Sequence, residues 1–342
     1  MIKISSCPVC NNNDIVTLLS TLSKYDDSFR SHNVAILNHI LKNVLGKDKA
    51  LVHTKQCRQC KQIFISPTYS PQEMARLYSK DSKIKLDQFY KKVQEITGLS
   101  YYEDFSGDEL LGEKYEEESI AFRRKFVFDV VTSFKKGPIN KLLDIGGGDG
   151  SNILSFEKSE KFVFDLVPPS KAYSQIKFIN DLDTAYSLAP FDLIVSTHTL
   201  EHIINPRETV ASYAKLVETG SLFYVEVPLE YARLYVKYLL YPLLKKGTHI
   251  NWHVNYFSPS SLQSLFAVSG YKPVYLKTRF MPYRSLRMQV IIGLFVYTGI
   301  SCNYIPSAAR WYRDFFKNSL IDAGIKGFRK LFKRYPSLTP FK

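Results

Sequence analysis

Residues 139–154 combine an acid with a glycine-rich turn in a pattern that could hold a nucleotide cofactor. An apolar run ends at Asp144, and glycines then occupy every second position. Glycine adopts backbone angles closed to other residues and lets a ligand approach the main chain; the segment from Asn152 onward is predicted to be a helix whose N-terminus faces the turn. Ser151 replaces the third glycine of a dinucleotide fingerprint. The alternative is a tight turn without a ligand. The glycines are Gly146, Gly148 and Gly150.

Three further strands predicted after this loop each end in polar residues. Asp165 follows the second strand, about twenty residues after Asp144, where an acid can accept both ribose hydroxyls of a nucleotide. Asp181 follows the third strand, and Thr197 and His198 lie at the carboxyl end of the fourth, where open α/β sheets bind ligands. A carboxylate at a strand end is often a helix cap, so each acid alone is weak evidence.

The cysteines form a second group of residues that could do chemistry. Cys7 and Cys10 form one C-x-x-C pair, and Cys57 and Cys60 form another. Two such pairs complete a closed four-thiolate zinc site with no open coordination position, so a structural zinc ion is expected. Two disulfides or free thiols are the alternative; without a secretory signal before Cys7, we expect a reducing, cytoplasmic location and therefore metal. His53 is expected to be a surface residue.

These motifs together resemble class I S-adenosylmethionine (SAM) methyltransferases. The loop from Asp144 is similar to motif I of that family, and the phrase TLEHIINPRE resembles its LEH segment after strand four. The resemblance implies an α/β Rossmann-like core with a seven-stranded sheet that ends in an antiparallel hairpin. It also implies that SAM binds at the loop, with Asp165 on the ribose and Asp181 near the adenine, although neighbouring Asp183 competes for the latter role.

The segment after Cys60 resembles bacterial methyltransferases that carry an N-terminal zinc-binding domain and act on sugars, including surface polysaccharides. Their Tyr-His-Glu-His stretch aligns with residues 250–253, where only His253 is retained. Loss of the tyrosine and glutamate argues against proton abstraction from carbon. One histidine base can activate an alcohol, so we expect O-methylation of a nucleotide-linked or lipid-linked sugar or glycan, with His253 as the base and Trp252 and Tyr256 stacking on the sugar. The alternatives are a sugar C-methyltransferase, an RNA or other small-molecule methyltransferase, and a non-catalytic SAM-binding protein.

Three residues near the fourth strand have the spacing of one helix face. His198, Glu201 and His202 stand at i, i+3 and i+4, so a helix that begins by residue 198 would align them. They could bind a catalytic divalent ion such as Mg²⁺ or Mn²⁺ that polarises a substrate hydroxyl. His249 could join this arrangement or that of His253, or be a surface residue. The structural alternative, in which Glu201 and His202 anchor the loop by hydrogen bonds, is favoured.

The cysteine spacing, the family resemblance and the charge pattern together divide the 342-residue chain into four predicted segments. A zinc-binding domain covers 1–70, a helical connector 71–115, the methyltransferase domain 116–300 and a basic amphipathic segment 301–342. Residues 271–342 hold fourteen Lys and Arg against two Asp, which is +12 of the net charge of +14. Such a tail fits contact with an acidic membrane surface at the inner face; packing on the chain's own core is the alternative. Nucleic acid is the less favoured partner.

Overall fold

The computed structural model describes residues 1–98, 109–166, 173–231, 234, 252–283 and 286–305. Most of the basic C-terminal segment and His249 therefore lie outside the described residues, so the predictions for them stay predictions. No helix in the described part of the chain is long and apolar enough to cross a membrane. The strands found are β1 Ile15–Lys24, β2 Lys49–Cys57, β3 Ile63–Ser66, β4 Lys141–Ile145, β5 Glu160–Phe164, β6 Ile176–Ile179, β7 Phe191–Thr197, β8 Val217–Pro228, β9 Asn255–Tyr256, β10 Tyr271–Tyr283 and β11 Leu286–Tyr297.

Seven strands form the large sheet, in the order β10-β11-β8-β7-β4-β5-β6. The five strands from β8 to β6 pair in parallel, and β11 pairs antiparallel with both β8 and β10. The parallel strands are apolar along their length because helices can cover both of their faces. This order confirms the predicted methyltransferase core with its terminal antiparallel hairpin. The order reverses at β4, which lies between β5 and β7, so the carboxyl ends of β4 and β7 border the ligand crevice typical of such sheets.

The helices connect and cover these strands. Helix α1 continues into a π-helical turn over Ile40–Leu45, and both lie between the two cysteine pairs. One long helix, α4, crosses residue 116, the predicted start of the methyltransferase domain. The helices are α1 His32–His39, α2 Pro71–Leu77, α3 Lys80–Thr97, α4 Glu109–Phe134, α5 Leu182–Ser187, α6 Pro206–Tyr213 and α7 Pro259–Ala267.

The helix predicted from Asn152 onward is wrong. The glycine-rich turn is followed by a single 3₁₀ turn, Ser151–Ile153, before the chain enters β5 at Glu160. The side chain of Asp149 accepts a hydrogen bond from the Ser151 amide at 2.9 Å, and Ile153 is fully buried. Ile153 and Phe156 are both buried in the core, and the chain reaches β5 through short turns.

A four-stranded antiparallel sheet, in the order β1-β2-β3-β9, joins the N-terminal region to the methyltransferase core. Its last strand, β9, comes from the core: Ile63 pairs with Tyr256, and Phe64 pairs with Asn255. The Ile65 amide also donates to the Val254 carbonyl at 3.1 Å. The N-terminal region is therefore bonded through its own backbone to the segment that carries His253.

The four cysteines lie together at one end of this smaller sheet. The Sγ atoms of Cys7 and Cys60 are 3.5 Å apart, as are those of Cys10 and Cys57, and all four sulfurs lie within 4.8 Å of one another. These are thiols, because a disulfide needs sulfurs only about 2.05 Å apart. A tetrahedral zinc ion with Zn–S bonds of about 2.3 Å places its sulfurs about 3.8 Å apart. The thiols thus fit the predicted structural zinc.

The cysteine end of the sheet also contacts the core. The Arg207 amide donates to the Pro8 carbonyl at 3.3 Å, and the Arg207 guanidinium donates to the Val9 carbonyl at 3.3 Å. Arg207 lies in the first turn of α6, directly after the LEH segment. These two bonds connect the cysteine loop to the residues that follow the LEH segment.

We expect one equivalent of zinc to co-purify with the protein and Cys57→Ser to release it. Because the metal supplies folding energy that a short segment lacks, amide hydrogen exchange in β1–β3 should accelerate in this variant. Cys302→Ser, which changes an exposed cysteine, is the matched control and should retain both zinc and protection. Zinc-free protein, prepared without chelator and still fully protected in β1–β3, would contradict the assignment.

Candidate functional site

The glycine-rich turn after β4 has the backbone geometry of a ligand cradle. All three predicted glycines have positive φ angles: +69° at Gly146, +55° at Gly148 and +79° at Gly150. A side chain at Gly146 would collide with Thr199, and one at Gly150 would collide with Ile176. A Cβ at Gly148 would meet no atom within 4 Å, so this residue borders open space. Gly146 and Gly150 shape the turn from inside, and Gly148 leaves open space beside its backbone.

Asp165 lies directly over this turn. It follows β5, is half-buried, and accepts a hydrogen bond from the Gly148 amide at 3.0 Å through Oδ2. The bond holds the carboxylate at the carboxyl end of β5, against the glycine-rich turn that follows β4. An acid at the end of this strand is the one that the sequence analysis assigns to the ribose, and that assignment stays a prediction.

Asp181 serves as the N-cap of α5. Its Oδ1 accepts from the Thr184 amide at 2.7 Å and its Oδ2 from the Thr184 hydroxyl at 2.8 Å. These bonds lower the pKa of the Asp181 carboxyl. Helix capping accounts for this acid, and its predicted contact with adenine stays a prediction.

The end of β7 supplies further polar groups to the cradle. The hydroxyl of the buried Thr197 accepts from the Asn152 side-chain amide at 3.0 Å, and the Thr199 hydroxyl donates to the Ile145 carbonyl at 3.2 Å. Gly147 is equally constrained, since a Cβ there would lie 2.4 Å from Asp144 Cγ. Sequence reasoning missed Gly147, Asn152 and Thr199. Only Gly147 carried a local signal, because the contacts of the other two cross between strands.

Asp144 is completely buried beneath the turn. Within the described residues, neither of its carboxylate oxygens has a hydrogen-bond partner. Burial, with additional repulsion from Asp165 and Asp149, raises the pKa of Asp144 from 3.8 to about 8. A buried carboxyl in this state is prepared to receive a positively charged or hydrogen-bond-donating group from a ligand.

The raised pKa of Asp144 predicts how its stability contribution depends on pH. Between pH 3.8 and about 8, the Asp144 carboxyl is protonated in the folded protein and ionised in the unfolded chain. The free energy of unfolding therefore falls as pH rises through this range. Relative to Asp144→Asn, the unliganded wild type should lose stability over this range by at most about 1.4 kcal/mol per pH unit. Urea denaturation across the range measures the difference. Asp183→Asn, at an exposed acid, is the control, and a pH-independent difference for Asp144→Asn would contradict the claim.

A second group of titratable side chains lies near the carboxyl ends of β7 and β8. Glu201, His202 and His253 each offer one ligand atom, and these atoms lie within 4.8 Å of one another. We call these three residues the acceptor cluster. The rings of His202 and His253 are 4.8 Å apart between centroids. Two of the residues follow β7, and the third precedes β9, so tertiary contact brings them together.

Each histidine of the acceptor cluster is oriented by a second group. His202 Nδ1 lies 3.1 Å from the Trp252 carbonyl, to which it donates. His253 Nδ1 lies 2.5 Å from Glu230 Oε2. Burial lowers the pKa of His253, but the hydrogen bond and charge of Glu230 more than reverse this effect, so the pKa lies above its usual value. Glu230 carried no sequence signal.

Glu201 is almost wholly buried, with 2% of its side chain exposed. Its Oε1 lies 3.4 Å from His198 Nδ1 and 3.8 Å from His202 Nε2, yet neither carboxylate oxygen accepts a hydrogen bond from any described residue. Burial raises the pKa of Glu201, but the neighbouring histidines outweigh it and hold the pKa below its usual value. The favoured alternative, in which Glu201 and His202 anchor the loop by hydrogen bonds, agrees with the His202 ring, which bonds the Trp252 carbonyl at 3.1 Å, and with the Glu201 backbone carbonyl, which accepts from the Val254 amide at 2.9 Å. The Glu201 carboxylate takes no part in these bonds.

The prediction that His198, Glu201 and His202 share one helix face is wrong. His198 has a left-handed backbone, with φ of +54°, and residues 200–202 form only a 3₁₀ turn. His198 Nε2 instead bonds Glu226 Oε1 at 3.0 Å, and the Arg123 guanidinium donates to the same oxygen at 3.1 Å. Burial lowers the pKa of His198, but Glu201 and Glu226 raise it to about 9 overall. His198 thus lies between the carboxylates of Glu201 and Glu226, and His253 takes its place in the acceptor cluster.

Aromatic side chains from the N-terminal half line one side of the acceptor cluster. Trp252 stacks on His39, with ring centroids 6.3 Å apart and planes 24° apart. Tyr78 lies 6.1 Å from Trp252 and 5.8 Å from His202 between centroids. Tyr256, predicted beside Trp252 as a sugar-stacking residue, is 3% exposed and donates its hydroxyl to the His253 carbonyl, so that prediction is wrong. Tyr78 and His39 were not predicted from the sequence.

Comparison with known proteins agrees with this architecture. A family model described as a methyltransferase domain matches residues 116–276. No curated protein matches the chain. Similar solved structures include a SAM-dependent methyltransferase of Methanosarcina mazei, with 14% identity, a TM-score of 0.37, and 49% of this chain and 97% of that chain covered.

Two other structures represent methyltransferases of named substrates. The 1,6-didemethyltoxoflavin-N1-methyltransferase of Burkholderia thailandensis has 15% identity and a TM-score of 0.42 over 71% of this chain and 98% of that one. Human N-acetylserotonin methyltransferase has 12% identity and a TM-score of 0.39 over 68% of this chain and 60% of that one. Likeness this distant carries nothing about the substrate of this chain. The family model, matched over a sheet of this strand order with its glycine-rich turn, identifies the chain as a SAM-dependent methyltransferase with a class I methyltransferase domain.

Proposed function

We propose that the enzyme transfers the methyl group of SAM to a hydroxyl oxygen of a sugar or glycan, in the synthesis of a bacterial surface polysaccharide. The observation that carries this proposal is the acceptor cluster, which gathers two oriented histidines and a buried glutamate near the carboxyl ends of β7 and β8. An alcohol must lose a proton as it is methylated, and imidazole groups of this kind promote such a loss.

SAM fits the cradle at the end of β4. The Asp165 carboxylate would accept the ribose hydroxyls, and the exposed backbone of Gly148 would allow the nucleoside to approach. The unpartnered carboxyl of Asp144 would be stabilised in its charged form by the cationic methionine part of the cofactor. Bound SAM supplies a methyl group on a positively charged sulfur.

The chemical step then requires alignment and removal of a proton. The acceptor oxygen attacks the methyl carbon in line, from about 3 Å, and the C–S bond breaks with its electrons remaining on sulfur. S-adenosylhomocysteine is released, and the hydroxyl proton is lost at the acceptor cluster. Glu230 holds the His253 imidazole in one orientation for this purpose.

The ring-lined wall beside the cluster supports a sugar as acceptor. Trp252 and Tyr78 offer apolar faces next to polar groups, which suits the C–H face and hydroxyls of a pyranose. The basic segment 301–342 supports a lipid-linked acceptor, since cationic residues interleaved with aromatic ones favour contact with acidic lipids. The cytoplasmic side of the membrane is then the proposed place of action.

The cofactor assignment can be tested with Asp165→Ala. Removal of a carboxylate that accepts ribose hydroxyls should weaken SAM binding by about 1.5–3 kcal/mol, the scale of hydrogen bonds to charged groups. Isothermal titration calorimetry measures the change. Glu157→Ala, at an exposed acid with no predicted role in the cradle, is the control and should bind SAM like the wild type; equal affinity in Asp165→Ala would remove the assignment.

The acceptor can be tested with methyl-labelled SAM offered together with nucleotide sugars, lipid-linked glycans and RNA. Label should appear on an oxygen of a sugar, located by mass spectrometry of the product. His253→Ala should keep its fold and SAM binding while turnover falls about 10²–10⁴-fold, the range associated with loss of a proton-transfer group. His53→Ala, at a histidine of the N-terminal sheet, should leave turnover unchanged. Label on a carbon atom or on RNA would replace this function with one of its alternatives.

A further inference from the structure

We propose that Glu201, His202 and His253 bind one divalent first-row transition-metal ion. Two imidazole nitrogens and one carboxylate oxygen are a donor set that such ions accept, and three protein ligands leave coordination positions open for a substrate. The three donor atoms already lie within 4.8 Å of one another. Metal–ligand bonds of about 2.0–2.2 Å require donors about 3 Å apart, so modest side-chain rotations complete the site.

The hydrogen-bond partners of Nδ1 in the two histidines are of the kind that metal-bound histidines have. A metal-bound histidine almost always donates its other ring N–H to a carboxylate or a backbone carbonyl, which fixes its tautomer. His202 donates Nδ1–H to the Trp252 carbonyl, and His253 donates Nδ1–H to Glu230. In both rings this arrangement puts the lone pair on Nε2. His202 directs this atom towards Glu201, at 3.8 Å from Oε1.

Glu201 supplies an independent observation. A carboxylate with 2% exposure and no hydrogen bond within the described residues bears a large desolvation cost. His198 is the competing cation, since its Nδ1 lies 3.4 Å from Glu201 Oε1. However, the shorter contact of His198, at 3.0 Å, is with Glu226, which also binds Arg123. A metal ion on the other side of Glu201 would give its oxygens direct partners.

The donor set also restricts the identity of the ion. Magnesium prefers six oxygen ligands in near-ideal octahedral geometry and is poorly served by two imidazoles. Manganese, iron, cobalt, nickel and zinc all accept mixed nitrogen and oxygen ligands. Of the two ions predicted from the sequence, Mg²⁺ is therefore disfavoured and Mn²⁺ is retained together with the other transition metals. The proposed ligands include His253 in place of His198.

The role of the ion rests on the proposed function. A substrate hydroxyl bound at an open position would have its pKa lowered by the metal and would release its proton to water before transfer. The metal-bound oxygen would then attack the methyl carbon of SAM, and the C–S bond would break with its electrons remaining on sulfur. In this state Nε2 of His253 is a metal ligand, and His253 acts through the ion.

Manganese is a suitable probe because thiolates bind it poorly, so the four-cysteine site keeps its zinc during the titration. Binding of Mn²⁺ to zinc-loaded protein, without SAM or acceptor, can be followed by loss of the free-ion electron paramagnetic resonance signal. We expect one ion per chain. Glu230→Gln should weaken binding about 10–100-fold, the usual effect of removing a group behind a ligand, and Glu201→Gln should weaken it further.

Glu208→Gln is the matched control, because Glu208 is an exposed acid in the neighbouring helix α6 and should not affect binding. Circular dichroism and thermal melting establish that each variant is folded, and Glu230→Gln provides a second variant should Glu201→Gln fail to fold. Absence of saturable Mn²⁺ and Co²⁺ binding to the wild type would overturn the proposal. Unchanged affinity in folded Glu201→Gln would also overturn it, because the ion would then lie elsewhere.

Activity measurements separate this inference from the proposed function. Metal binding with the expected variant pattern, but no methyl transfer to any hydroxyl acceptor, would leave the metal site standing and remove the proposed function. O-methylation that persists at full rate after removal of the manganese-competent ion would leave the function standing and overturn the role of the metal.

Discussion

The short backbone segment 254–256 is the connection on which the candidate site depends. On one side, Asn255 and Tyr256 pair with β3 of the N-terminal sheet. On the other side, the Val254 amide donates to the Glu201 carbonyl, and the Asn255 side chain donates to the Ile203 carbonyl at 2.6 Å. Because these bonds are buried, their loss would leave polar groups without partners in the interior. They hold His253 beside the LEH segment and tie both to the N-terminal sheet.

This arrangement gives the N-terminal sheet a direct part in the site. Tyr78, just after α2, and His39, at the end of α1, contact Trp252, while the cysteine loop is bonded to Arg207 at the start of α6. The core alone provides the cofactor cradle and the acids and histidines. The aromatic wall beside the acceptor cluster is shared between the two regions, so the N-terminal region contributes to the shape of the candidate site.

Buried side chains of opposite charge lie next to one another beside the crevice. Arg123 and His198 both contact Glu226, whose side chain is fully buried. These contacts offset the desolvation cost of burying the Glu226 carboxylate. The carboxylate oxygens of Asp144 and Glu201 lack hydrogen-bond partners among the described residues. Native proteins rarely leave buried carboxyls in that condition unless a ligand or ion completes them. In the proposed reaction, Asp144 would contact the cofactor and Glu201 would bind the metal ion that activates the acceptor.

The sequence by itself determined the features that depend on local spacing. Two C-x-x-C pairs defined a four-thiolate site, glycines at alternate positions after Asp144 defined the turn, and strand patterns defined the sheet with its terminal hairpin. It did not determine that the LEH segment is a 3₁₀ turn, since His198 takes a left-handed backbone only because its amide bonds the Glu226 carbonyl on β8. Tertiary structure alone decided that Glu230 orients His253, that Trp252 stacks on His39, and that His253 joins Glu201 and His202. The residues of these contacts lie far apart along the chain or in separate elements, and periodicity reports only near neighbours; their meeting depends on how the two sheets share strand β9.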